Sequence, residues 1–163
     1  MLDLILPTFK LNLWYSQKLV ADVPEEQMCA QPVAGRVMNH PAFLLGHLAW
    51  AAGDVAADKL GLPPMCPAEW KDLFGMGAQP QSDRSRYPSK AVLLKTMEDA
   101  FARLEEAAPK ASPELLAQPA PERIRERFPT IGALMVGLMT SHHASHNGQL
   151  SAWRRAMGFP PVF

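Results

Sequence analysis

Apolar side chains recur at helical spacing in four stretches of this chain, with proline-rich or polar segments between them. The first predicts a helix over about 8–21, with Phe9, Leu13, Leu19 and Val20 inward and Lys10 and Lys18 outward. The second predicts a helix over 40–60, where Pro41 suits the first turn and Gly61 the position just past the end. The third, over 89–107, has the cleanest stripe. Leu93, Met97, Ala100, Phe101 and Leu104 share one face, while Lys90, Lys95, Asp99, Arg103 and Glu106 lie largely elsewhere. The fourth, over 130–157, opens on Thr130 as an N-cap and ends at Gly158, with Arg154 and Arg155 complementing its C-terminal dipole. Segments at 67–74 and 113–118 have room for a turn or two of helix each. Most of the 16 prolines fall in the gaps, where they start and stop helices rather than break them. With no strand-type alternation and no internal repeat, the pattern predicts an all-α fold. The expected architecture is an antiparallel four-helix bundle with long connections, one or two of which cross over the bundle.

Two of these helices carry an unusual core face. In the fourth, Ile131, Leu134, Met135, Leu138 and Met139 form a stripe whose continuation passes through His142, His146, Gln149 and Trp153. His142 and His146 are four apart, so both imidazoles leave one helix face a turn apart. In the second helix His47 shares a stripe with Leu44, Leu48, Ala51 and Val55. No charged side chain occurs between Pro129 and Trp153 or from Val37 to Gly53, so both segments read as buried helices. One histidine from the second helix and an i, i+4 pair from the fourth can present three nitrogens to one point, and bundle cores build metal sites in this way. Imidazole suits zinc, nickel, copper or iron(II), and three protein ligands leave positions open for water or substrate. A lone buried histidine more often makes a hydrogen bond than ligates. The conjunction of the two motifs carries the inference.

The surrounding residues have plainer readings beside their functional ones. His143 projects about 100° from His142 on a helix and packs or hydrogen-bonds elsewhere, and His40, beside Pro41, reads as a helix-start residue, with a place at the site mouth as the alternative. The pair is not an HExxH motif, so the general base built into that motif is missing. Asp54, seven residues after His47, is the nearest candidate for a base or a partner to a ligand, and equally a polar residue emerging at the solvent end of its helix. Gln149 either bonds a ligand or caps a carbonyl, and Gly148 permits close helix approach. Trp50, Trp70 and Trp153 read as core more than as pocket walls.

Composition narrows the class. At 163 residues, 48% apolar and 20% charged, the chain is most simply one globular domain over 1–163. Sixteen basic and sixteen acidic residues leave no net charge, which recommends neither nucleic acid nor an anionic membrane as partner. Cys29 and Cys66 are isolated, as in a protein of a reducing cytoplasm. The stretch Met1–Pro7 lacks the basic and long apolar regions of a signal peptide, and the strongest apolar run, 131–139, is far short of the roughly 20 residues that span a bilayer.

The segments LLGHLAW and HHASHNGQLSAWRRAMG resemble the DinB/YfiT-like superfamily, whose members carry one histidine in a GHL-type segment and an HxxxHxGQL pair near the C-terminus. PAEWKDLFGMG is similar to that family's Trp…Phe loop and YPSKAVLLKTMEDAFARL to its third helix, so the likeness spans most of the chain. The resemblance implies a four-helix bundle, with His47, His142 and His146 as ligands of a divalent metal, nickel or zinc, and a homodimeric assembly. It also implies chemistry on a small-molecule substrate. Some relatives are transferases or isomerases that use a low-molecular-weight thiol, and others are described as metal-dependent hydrolases. Three readings follow: a metal-held thiolate attacking an electrophile, metal-bound water hydrolysing an ester or amide, and a bundle that the metal only stabilises. The missing carboxylate base favours the first.

Overall fold

The structure is a computed structural model that describes residues 2–162; Met1 and Phe163, the ends of the expected domain, lie outside the described residues. Among the described residues it is helical, with one isolated antiparallel bridge between Pro119 and Thr130. After a single turn at Leu2–Ile5, helix α1 runs Leu6–Val20. Helix α2 begins as Pro41–Trp50, widens into a π-helical segment at Ala51–Ala56 and closes with Ala57–Lys59. Two short helices, α3 (Trp70–Phe74) and the later α5 (Pro113–Ala117), flank the long α4 (Lys90–Ala107). A further short helix, α6 (Glu122–Arg125), precedes α7, which starts as Ile131–Gly137, passes through a π segment at Leu138–His142 and continues as His143–Ala156.

Side-chain caps fix the starts. The hydroxyls of Ser89, Ser112 and Thr130 accept from the amides of Val92, Leu115 and Ala133 at the heads of α4, α5 and α7. At the head of α2 the cap is His40, whose Nδ1 accepts from the Phe43 amide at 3.2 Å. Gly61 (φ 72°) and Gly158 (φ 81°) terminate α2 and α7 in the left-handed conformation that a residue with a Cβ resists.

Hydrogen bonds between the long helices give their directions. Asn12, Ser16 and Leu19 on α1 meet Thr140, His143 and Arg154 in rising order, so α1 and α7 run parallel. Lys10 pairs with Glu105 and Gln17 bonds Glu98, so α1 and α4 run antiparallel. Asn39 meets Gln149 while His47 meets His142, so α2 and α7 are also antiparallel. The first turn of α2 faces the approach to α4, with the His40 and Tyr87 rings 5.1 Å apart, and its far end lies beside Arg103 and Ala107. Those two helices therefore run parallel. The order is up, down, down, up, and the long connections at 21–40, 60–89 and 108–130 make it possible.

The core is continuous. Leu93, Met97, Ala100, Phe101 and Leu104 of α4 are all buried, as are Leu44, Leu45 and Leu48 of α2. On α7 the buried line is Met135, Met139, His143, Asn147, Leu150 and Trp153. This differs from the expected stripe, because the π segment inserts a residue into the turn that ends on His142. His143 is thereby set in the core, with His142 and His146 on its flank toward α2. The charge-free stretch of α7 is not buried all round either: Val136, Ser141, Ala144, Ser145 and Gly148 form a neutral exposed face. Gly148 meets nothing within 4 Å of a would-be Cβ, so it mediates no close helix approach.

Candidate metal centre

The local sequence on α2 prepares a seat for His47. Gly46 packs directly against the ring of Phe74, and a Cβ at that position would overlap three ring carbons. Because glycine stands there, α3 closes flush on α2, and the backbone carbonyl of Phe74 accepts a hydrogen bond from His47 Nδ1 at 2.7 Å. One turn further on, the π segment brings Gly53 against Met65 and Cys66, and the Asp54 carboxylate accepts from both of their amides at 3.0 Å. Asp54, the residue expected as base or partner, thus clamps the 60–69 loop and also borders a groove that reaches His142.

On α7, His146 Nδ1 donates to Gln149 Oε1 at 3.1 Å, and the same oxygen accepts from Asn39 Nδ2 at 2.9 Å. The tautomers follow from these partners. With Nδ1 of His47 and of His146 each carrying a hydrogen, both Nε2 atoms are bare lone pairs. They point at the same atom: His142 Nε2 lies 3.1 Å from His47 Nε2 and 3.1 Å from His146 Nε2. One ring hydrogen on His142 can satisfy only one of them. All three ligand atoms lie within 4.8 Å of one another, and no other such group of histidine, cysteine and carboxylate side chains occurs among the described residues.

A cation resolves this arrangement where hydrogen bonds do not. Nitrogens bound to a common first-row ion at about 2.0–2.1 Å stand roughly 3 Å apart, which the 3.1 Å separations match. Each ligand is in the required charge state. Burial, with His146 and His47 close by, holds His142 down at about 3, and burial with His47 holds His146 at about 4. Burial lowers His47 likewise. All three imidazoles are therefore neutral at pH 7. The carbonyl and amide behind His47 and His146 are the kind of outer partners that orient metal-bound imidazoles and raise their basicity. The donor set fits a divalent metal.

A family model of the DinB superfamily matches residues 11–150, which include all three histidines. The chain belongs to the DinB superfamily. No curated protein and no solved structure matches it. The DinB assignment agrees with the helical fold, and the family's association with metal agrees with the donor set.

The remaining candidates separate cleanly. His143 is buried beneath the site, where Nε2 donates to Ser16 Oγ at 2.7 Å, Ser16 donates to Asn147 Oδ1 at 2.6 Å, and Asn147 Nδ2 donates to the Asn12 carbonyl at 2.9 Å. This network ties α7 to α1 directly behind the ligands. His40 serves as the cap of α2 and donates through Nε2 to the Gln81 carbonyl at 2.9 Å. Trp70 and Trp153 are core residues, whereas Trp50 is partly exposed and walls the site. Sequence reasoning missed the Phe74 carbonyl, which has no residue-type signature, and both π segments. It also missed Asn39, which the neighbouring His40-Pro41 helix start places at the mouth. A cavity of about 460 Å³ opens on the three histidines, bounded by Asn39, Phe43, Trp50, the 75–80 loop and Arg123. No described helix is long and apolar enough to cross a membrane.

Proposed function

We propose that this DinB protein is an enzyme that holds a divalent metal, nickel or zinc, on His47, His142 and His146 and transfers a low-molecular-weight thiol to a small electrophilic substrate. The observation that carries it is the convergence of three bare or half-satisfied Nε2 atoms at the floor of an open cavity. When bound there, the metal supplies Lewis acidity, which keeps a coordinated thiol as thiolate at neutral pH. The chain's own residues do the rest. Phe74 and Gln149 fix the rings of His47 and His146, and Trp50 and Phe43 form an apolar wall on one side of the cavity.

The thiol comes from outside the chain. Burial pushes the Cys29 thiol up to about 11, and burial together with Asp54 pushes Cys66 up to about 12, so neither is a nucleophile at pH 7. Hydrolysis by metal-bound water is the second reading, and Asp54 is its candidate base because it borders the groove on the His142 side.

The test is metal content and turnover in one preparation. Wild type retains about one metal per chain by elemental analysis, and His142→Ala retains little. Wild type reconstituted with nickel or zinc consumes an aryl chloride electrophile only when a small thiol is present. Stoichiometric metal in His142→Ala refutes the site. Thiol-independent ester cleavage that Asp54→Asn abolishes transfers the assignment to hydrolysis.

A further inference from the structure

The cavity over the histidines continues into a second hollow of about 810 Å³ between α2, the 60–69 loop and α6. The two share Trp50, Val55, Met76, Leu138, His142 and Arg123, so they form one groove with His142 at its waist. Asn39, Gln79 and the histidines line its site end, and elsewhere its walls are apolar apart from a set of charges with a clear imbalance. Lys59, Lys71, Arg123 and Arg127 oppose only Asp54 and Asp58. Both acids are already engaged. Asp58 pairs with Lys59 at 2.6 Å, and Asp54 accepts from the amides of Met65 and Cys66. Arg123 belongs to both halves of the groove, and among the described residues its guanidinium bonds the thioether of Met76 at 2.9 Å, a weak acceptor. The bridge between Pro119 and Thr130 pins the excursion that carries α6, so the backbone at Arg123 is fixed beside the groove and its exposed side chain reaches over it to Met76.

Resting on the metal-site reading above, we propose that the groove selects a ligand bearing a carboxylate on an apolar body, with Arg123 as the specificity-determining residue. A guanidinium bonded to a thioether gains charge-assisted, bidentate hydrogen bonds when a carboxylate replaces that sulfur. The apolar walls formed by Trp50, Val55 and Leu138 cover the body of the ligand and direct its far end toward His142. The carboxylate belongs either to the electrophile or to the thiol, and the two sources share the same anchor.

The test uses acid and neutral pairs on metal-free protein and on protein reconstituted with nickel: 4-phenylbutyrate against 4-phenyl-1-butanol, and 3-mercaptopropionate against 2-mercaptoethanol. Affinities are read by titration calorimetry. In wild type the acid of at least one pair binds about tenfold more tightly than its neutral partner, and Arg123→Gln erases that preference while leaving metal content and melting temperature unchanged. A preference confined to the phenyl pair assigns the carboxylate to the electrophile; one confined to the mercapto pair assigns it to the thiol. If Arg123→Gln leaves every pair as in wild type, or no acid is preferred, the proposal is overturned. Metal content is measured separately. Failure of wild type to hold metal overturns the metal reading, while the preference for the acid at Arg123 is still read in the metal-free arm.

Discussion

Replacing Gly46 by alanine puts a methyl group where the Phe74 ring lies. On an exposed helix the same change stabilises by about 1 kcal/mol, through lower backbone entropy in the unfolded chain. Here the added carbon overlaps three atoms of a fully buried ring, which must retreat. Overpacking of this kind typically costs about 1–3 kcal/mol, and a ring enclosed between α2, α3 and Tyr87 has little room, so the upper part of that range applies. The expected net loss is about 1–2 kcal/mol, measured by urea unfolding of the metal-free protein. The second effect is more specific. When the Phe74 ring moves, its carbonyl moves with it, and His47 Nδ1 loses its 2.7 Å acceptor. Loss of such an outer partner costs about 10–100-fold in metal affinity. A chelator competition titration with zinc reads this directly. A variant that gains stability and keeps wild-type affinity would refute the argument that glycine is there to seat α3.

Three further outcomes follow from other residues. Gln149→Ala removes the acceptor of His146 Nδ1 and weakens zinc binding about 10–100-fold in the same competition, with little change in stability because Gln149 is exposed. Gly148→Ala stabilises by about 1 kcal/mol in urea, since nothing lies within 4 Å of the added carbon, and leaves metal content unchanged. Burial holds His40 down at about 4, below its unfolded value near 6.5. Its contribution to stability is thus complete above pH 6.5 and is lost as pH falls toward 4, by up to about 3 kcal/mol. Comparing wild type with His40→Asn, which keeps a capping side chain, the stability difference between the two shrinks over that window; a pH-independent difference would show that His40 already titrates normally in the folded protein.

The long helices were legible because each has a face that obeys one period. Leu93 to Leu104 on α4 keeps strict i, i+3, i+4 spacing, and Ser89 and Thr130 announce helix starts by chemistry that works within three residues. The metal-type histidines were legible because residue type and helical spacing together restrict where nitrogens can point. What escaped notice depends on contacts far along the chain. The π segments at Ala51–Ala56 and Leu138–His142 leave no trace in hydropathy, yet they decide that His143 enters the core and Gln149 stays exposed. The uncharged surface of α7 was misread as burial, because serine, alanine and glycine are as neutral outside as inside. The directions of the helices required pairings such as Asn12 with Thr140, 128 residues apart, that no local window contains.

The spacing of the three ligands along the chain divides them into a near pair and a distant third. His142 and His146 can grip an ion on an isolated stretch of helix, whereas His47 arrives from 95 residues upstream only after the bundle has assembled. An unfolded chain therefore retains a weak two-point grip, and the increment in affinity contributed by His47 equals the increment in folding free energy that the ion returns to the protein. Depletion of the metal should accordingly loosen the association of α2 with α7 before it disturbs either helix by itself. Amide exchange would register that as early opening at the α2–α7 seam.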